Sequence, residues 1–114
     1  MTKIVTKQSL IKMLEDEARR PVVIGRALSA IFDRQLDDEK KTNDVRVLNN
    51  IGFSSADAKQ GSITAKTFRG RGTLLPFQVE YWMKPRKDGS PRICKYVRQL
   101  NEIALEKEAK RRTA

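Results

Sequence analysis

The sequence predicts an all-α fold: one compact domain of about five helices, closed by a long C-terminal helix. Two observations carry that expectation. Apolar residues recur three and four apart along most of the chain, as they do on one face of a helix. Prolines stand where helices can open, at Pro21, Pro76 and Pro91. At 114 residues the chain can bury one modest core, and no repeat or linker divides it. The expected domain covers 1–109, with 110–114 fraying as a basic tail.

The first helix is expected over Thr6–Arg20, with Leu10, Ile11, Leu14 and Ala18 on one side. Thr6 or Ser9 can cap it, and Arg19 and Arg20 suit the negative end of its dipole. Pro21 opens a second helix to about Leu36. Its apolar stripe is Ile24, Ala27, Leu28, Ile31 and Phe32, with Arg26, Ser29, Asp33 and Arg34 opposite. From Asp37 to Asn50 the pattern dissolves into a solvated helix end and a loop. Asp37, Asp38 and Glu39 read as solvated charge rather than a cation site, because no converging ligands accompany them. Val45, Val47 and Leu48 form a short apolar patch, as strand or packed loop, and Asn49-Asn50-Ile51-Gly52 is turn chemistry ahead of Phe53.

Ser54 or Ser55 can cap a short helical turn that Gly61 interrupts. Ser62 then caps a helix through Ile63, Ala65, Lys66 and Phe68, ended by Arg69-Gly70-Arg71-Gly72. That Gly-x-Gly lacks the strand, third glycine and acidic partner of a nucleotide fingerprint. The fourth helix spans about Leu75–Lys84, stopped by Pro85. A basic loop with an Asp88-Gly89 turn follows, and the last helix runs from Pro91 to about Lys110. Its inner stripe is Ile93, Val97, Leu100 and Ala104.

Charge narrows the class of partner. The chain carries a formal +10, unevenly placed: 11 basic and 9 acidic groups lie in 1–60, against 13 and 5 in 61–114. A polyanion is the expected partner of the second half. The absence of histidine removes His-based triads and mixed Cys/His zinc sites. Cys94 is the only cysteine, so no internal disulfide forms; it reads as a small buried or boundary side chain in a reducing compartment. No apolar run reaches membrane-spanning length and the N-terminal segment lacks a signal-peptide core, so a cytoplasmic location is expected. Nothing calls for a cofactor, a metal or a small-molecule substrate. Pairs such as Glu80 with Arg69, or Asp57 with Lys66, supply no nucleophile with its base, so the chain is not expected to be an enzyme.

The expected binding groups are Lys66, Arg69, Arg71, Tyr81, Lys84, Arg86, Lys87, Arg92, Lys95 and Arg98, meeting as one basic surface for DNA, RNA or a nucleoprotein complex. Phe68 and Phe77 are expected in the core; Tyr81 and the adjacent Trp82 cannot share a face, and their exposure is open. A protein-directed role is the other class, with Trp82, Tyr81 or Arg86 anchoring on an acidic host surface.

From Pro21 to Ala104 the chain resembles small basic helical proteins carried by phages and plasmids. The resemblance rests on Gly52-Phe53, Asp57, Gly72, Leu74 and Gln78, followed by Lys95, Tyr96, Gln99 and Leu100. It implies a mobile-element origin. It also implies either an accessory role in DNA metabolism or an anti-CRISPR-like inhibitor that binds a host subunit and blocks or displaces its nucleic acid.

Overall fold

In the computed structural model, which describes residues 5–42 and 52–113, Thr6 opens the first helix, α1 (Lys7–Leu14), as a reciprocal cap. Its hydroxyl accepts from the Ser9 N–H at 3.1 Å, and the Ser9 hydroxyl accepts from the Thr6 N–H at 2.9 Å. The helix stops short of the expected Arg20. Arg20 Nε donates to the Leu14 carbonyl at 2.8 Å, and Asp16 Oδ1 takes the Ala18 N–H at 3.1 Å, so a side-chain-closed turn replaces the last helical turns.

Helix α2 (Arg20–Thr42) then buries Ile24, Leu28, Ile31 and Phe32. It continues past Leu36 to Thr42, so the expected helix end takes in Asp37, Asp38 and Glu39. No glycine or proline stands between Arg26 and Thr42 to stop it, and Glu and Lys cost little in a helix. The patch at Val45, Val47 and Leu48, and the Asn49-Asn50 turn, lie outside the described residues.

Helix α3 (Ala58–Arg71) is one element where two had been expected. Gly61 does not interrupt it. The glycine is buried against the Phe53 ring, which would stand 2.6 Å from a Cβ there, so the position needs the smallest residue for packing rather than for a turn. Gly72 ends the helix at φ 76°, a left-handed cap whose N–H donates to the Phe68 carbonyl at 2.7 Å. Helix α4 (Pro76–Met83) opens on its proline, with Gln78 Oε1 accepting the Leu75 N–H at 3.0 Å. It runs back along α3: Gln78 Nε2 donates to Thr67 Oγ1 at 3.0 Å, and Trp82 Nε1 donates to Thr64 Oγ1 at 3.2 Å.

A hairpin loop leads to a 3₁₀ turn (Arg92–Tyr96) and then α5 (Val97–Thr113). The described residues contain no strand, only a single bridge between Pro85 and Pro91. None of their helices is long and apolar enough to cross a membrane.

The core draws on every helix: Leu10 and Leu14 from α1, the α2 stripe, Ala65, Trp82, Ile93 and Leu100, with Phe53 and Tyr96 between them. Trp82 is fully buried. Its ring meets Phe53, Tyr81 and Tyr96 at centroid distances of 6.3, 5.0 and 6.3 Å, within the range of favourable tilted pairs. Cys94 is buried, and burial pushes its thiol pKa up, which keeps it unreactive. Phe68 is half-buried over Gly25, whereas Phe77 is 63% exposed and contradicts the core assignment. On the short α4, Gln78 and Trp82 define the buried side, and Phe77 falls outside it.

Helices α2 and α3 approach closely where Gly25 lies under Phe68. A Cβ at Gly25 would stand 2.2 Å from Phe68 Cδ1 and 2.5 Å from Cγ, so the whole ring has to move. Gly25→Ala gains at most ~1 kcal/mol of helix propensity and loses about 1–3 kcal/mol to overpacking. The expected net is destabilisation of about 1–2 kcal/mol, read as a lower urea midpoint at unchanged m-value, and partly recovered by adding Phe68→Leu.

Candidate nucleic-acid interface

Two prolines and a glycine shape the loop between α4 and the 3₁₀ turn. Arg86 N–H donates to the Ser90 carbonyl at 2.8 Å, and Arg92 N–H to the Lys84 carbonyl at 2.8 Å. Pro85 and Pro91 are thus a pair whose own amide positions point away from the ladder, where proline removes no hydrogen bond. Gly89, at φ 85°, makes the turn, and its N–H donates to the Arg86 carbonyl at 2.9 Å. Asp88 Oδ1 accepts from the Ser90 N–H at 3.0 Å. The result is a stiff arm carrying Lys84, Arg86 and Lys87, all exposed.

The one acid on that arm is neutralised from elsewhere. Lys7 at the start of α1 forms an ion pair with Asp88. Lys7, with Ser90's donors, holds the Asp88 carboxyl well below the usual carboxylate range. Lys84, Arg86 and Lys87 make no ion pair with any described residue, so their charge is unopposed within the arm.

Behind the arm lies a buried carboxylate. Asp57 occupies the N-cap position of α3 but makes no side-chain cap; its 0%-exposed carboxylate faces inward. Oδ1 accepts from Arg92 Nε at 2.9 Å, again from the Arg92 terminal nitrogen, and from the Tyr81 hydroxyl at 3.2 Å. Oδ2 accepts from the Tyr96 hydroxyl at 2.6 Å and from Lys95 Nζ at 3.1 Å. Burial works to raise its pKa, but hydrogen bonds from Tyr96, Arg92 and Lys95 outweigh it and leave the group below its ordinary 3.8. Burial and the neighbouring carboxylate in turn raise the phenol of Tyr81, and push that of Tyr96 to about 12. Lys95 also donates to Ser54 Oγ at 2.7 Å. The loop before α3 is held by the same region: Gln99 donates to the Gly52 carbonyl and accepts its N–H, both at 2.8 Å.

Four of the ten expected binding residues, Arg69, Tyr81, Arg92 and Lys95, are therefore engaged within the molecule. Arg92 and Lys95 serve Asp57 and keep only 31% and 35% of their side-chain surface exposed. Arg69 pairs with Asp33 and donates through Nε to Ser29 Oγ at 2.9 Å, tying α3 to α2. Tyr81 is half-buried, with the Arg92 guanidinium 4.9 Å from its ring centroid covering one face. Lys66 and Arg69 lie over the Phe32 ring, at 5.9 and 5.3 Å. Arg71 is exposed at the far end of α3, a 14-residue helix and so ~21 Å from Asp57 along its axis. Arg98 is exposed one turn beyond Lys95. The ten residues do not form one continuous patch. Lys84, Arg86 and Lys87 gather on the arm, while Lys66 and Arg71 stand along α3 and Arg98 on α5.

Reading the sequence missed Asp57 as a hub and Lys7 as the partner of Asp88. Both partnerships are remote in sequence, 35 residues from Asp57 to Arg92 and 81 from Lys7 to Asp88, so no local signal marks them. No family model, curated protein or solved structure matches the chain.

The Asp57 cluster predicts an acid-sensitive stability. Because the carboxyl is more acidic folded than unfolded, its contribution is complete above pH 3.8 and is lost as pH falls through the folded value. Asp57→Asn should destabilise at pH 7 by about 2–3 kcal/mol, below the usual ~3–5 because Arg92 and Lys95 keep some solvent. Urea titrations should show that gap narrowing at pH 3, and a constant gap would refute the role assigned to the charge.

Proposed function

We propose that this protein binds nucleic acid, free or within a nucleoprotein complex, through the arm bearing Lys84, Arg86 and Lys87, and that it does so without catalysis. The observation that supports this most is the state of the arm's charge. Its cations are exposed and unpaired, while its acid is already satisfied by Lys7. A loop pre-shaped by Pro85, Pro91 and Gly89 loses little conformational freedom on binding. Lysine and arginine on such a loop suit phosphate contacts that position a strand without reading its bases. Arg98 can extend the track along α5. The exposed Arg71 and Phe77 lie at the other end of the α3–α4 pair and are not part of this surface.

Fluorescence anisotropy with single-stranded DNA, duplex DNA and RNA oligonucleotides tests the reading. With about three phosphates neutralised, log affinity should fall with log salt at a slope of ~−2 to −3. Arg86→Glu with Lys87→Glu should abolish measurable binding with helical circular dichroism intact, and Arg71→Glu should leave binding within about twofold. Absence of salt-dependent binding to all three probes would overturn the proposal. Nuclease-resistant capture of one defined protein complex would then support the anti-CRISPR-like, protein-directed role instead.

A further inference from the structure

A second surface lies between α2 and α5, over α1. The trough between them has a volume of about 520 Å³. Its walls are Val22, Val23, Ala27 and Ala30 from α2, facing Ile103 and Ala104 from α5. Leu10, Leu100 and the 40%-exposed Met13 line it as well. Val5, Ala18, Arg19, Arg26 and Lys107 complete the lining, and no aspartate or glutamate belongs to it. All three cations are exposed and none has an ion-pair partner among the described residues.

We propose that this trough is a docking groove for an acidic amphipathic helix of a partner protein. Its shape follows from helix periodicity. On α2 the lining positions Val22, Val23, Arg26, Ala27 and Ala30 form one stripe, and on α5 Leu100, Ile103, Ala104 and Lys107 form another. Each stripe runs ~10–12 Å, the length of two helical turns. Alanines at 27, 30 and 104 let a third backbone approach closely, and Met13 can adapt to the side chains it brings. A helix presenting apolar residues at i, i+3, i+4 and i+7 fills such a groove.

Charge selects the partner. Carboxylates flanking the apolar face would meet Arg19, Arg26 and Lys107, whereas a lysine-flanked helix would be repelled. The same argument disfavours a second copy of this chain, because each carries a net +10 and its helices present more cations than acids to the groove. The groove is independent of the 84–87 arm, so the two proposals can fail separately.

The test uses the full chain and fluorescein-labelled peptides of ~14 residues, about four helical turns. One has leucines at i, i+3, i+4 and i+7 with glutamates elsewhere, a second has lysines for the glutamates, and a third is the glutamate peptide scrambled to remove its apolar face. The first should bind, and the other two should bind at least about tenfold more weakly, a difference of ~1.4 kcal/mol. Ala104→Trp, which fills the trough, should abolish binding at unchanged thermal stability. Arg19→Glu with Arg26→Glu and Lys107→Glu changes only exposed groups, and should reverse the preference toward the lysine peptide. Arg86→Glu with Lys87→Glu should leave peptide affinity unaltered. Equal binding of the scrambled peptide, or loss of binding in the arm variant, would overturn the proposal. So would a fluorescent long-chain fatty acid that Ala104→Trp excludes while the glutamate peptide fails to bind.

Discussion

A carboxylate removed from water destabilises a fold by roughly several kcal/mol unless its oxygens are fully supplied with donors. Asp57 is supplied from three directions: Tyr81 on α4, Arg92 and Tyr96 at the two ends of the 3₁₀ turn, and Lys95 between them. Each donor is useful only if its element stands in one place. The buried charge therefore sets the α3 start against α4 and against the entry to α5. Apolar packing alone would tolerate small slides among these helices, but a short oxygen–donor geometry does not. The Phe53, Trp82 and Tyr96 rings pack beside the node, with Phe53 and Tyr96 edge-to-face at 5.7 Å, so the polar and aromatic parts of the core fix the same arrangement.

That constraint also redistributes charge. A count of cations in the C-terminal half treats all of them as available to a partner, yet Arg92 and Lys95 neutralise Asp57 and Arg69 neutralises Asp33. The reverse happens at the arm, where Lys7 from the N-terminal half cancels Asp88 and leaves neighbouring cations unopposed. Net charge by segment is therefore a poor guide to where a polyanion can land. Pairing across the fold decides which cations keep their field.

Much of the architecture was legible in the sequence because its signals are local. The 3–4 stripe of Ile24, Leu28 and Ile31, and the prolines at 21 and 76, mark α2 and α4 without reference to anything distant. The arm was legible for the same reason, since Pro85, Asp88, Gly89 and Pro91 act on their own backbone. What escaped depends on remote partners. Arg20 ends α1 by reaching back to Leu14, and Gly61 stays helical because Phe53 occupies the space a side chain would need. Phe77 shows the limit of periodicity on a short helix: eight residues cannot establish which face is inward when tertiary bonds to Gln78 and Trp82 choose it.

The pattern of residues from Gly52 to Leu100 singled out in the sequence has a physical reading of its own. Gly52 and Gln99 bond each other twice, Asp57 joins Lys95 and Tyr96, Gln78 closes α4 onto α3, and Phe53, Leu74 and Leu100 are core. These positions hold the fold together; apart from Gly72 at the α3 terminus and Lys95, whose ammonium is bonded to Asp57 and Ser54, all are buried. Chains sharing them would share this buried framework and could differ in everything outside it. Lys84, Arg86 and Lys87, and likewise Arg19, Arg26 and Lys107, stand outside the pattern on exposed positions. That pattern therefore speaks to architecture, and function has to be sought in the cations that the framework leaves unpaired.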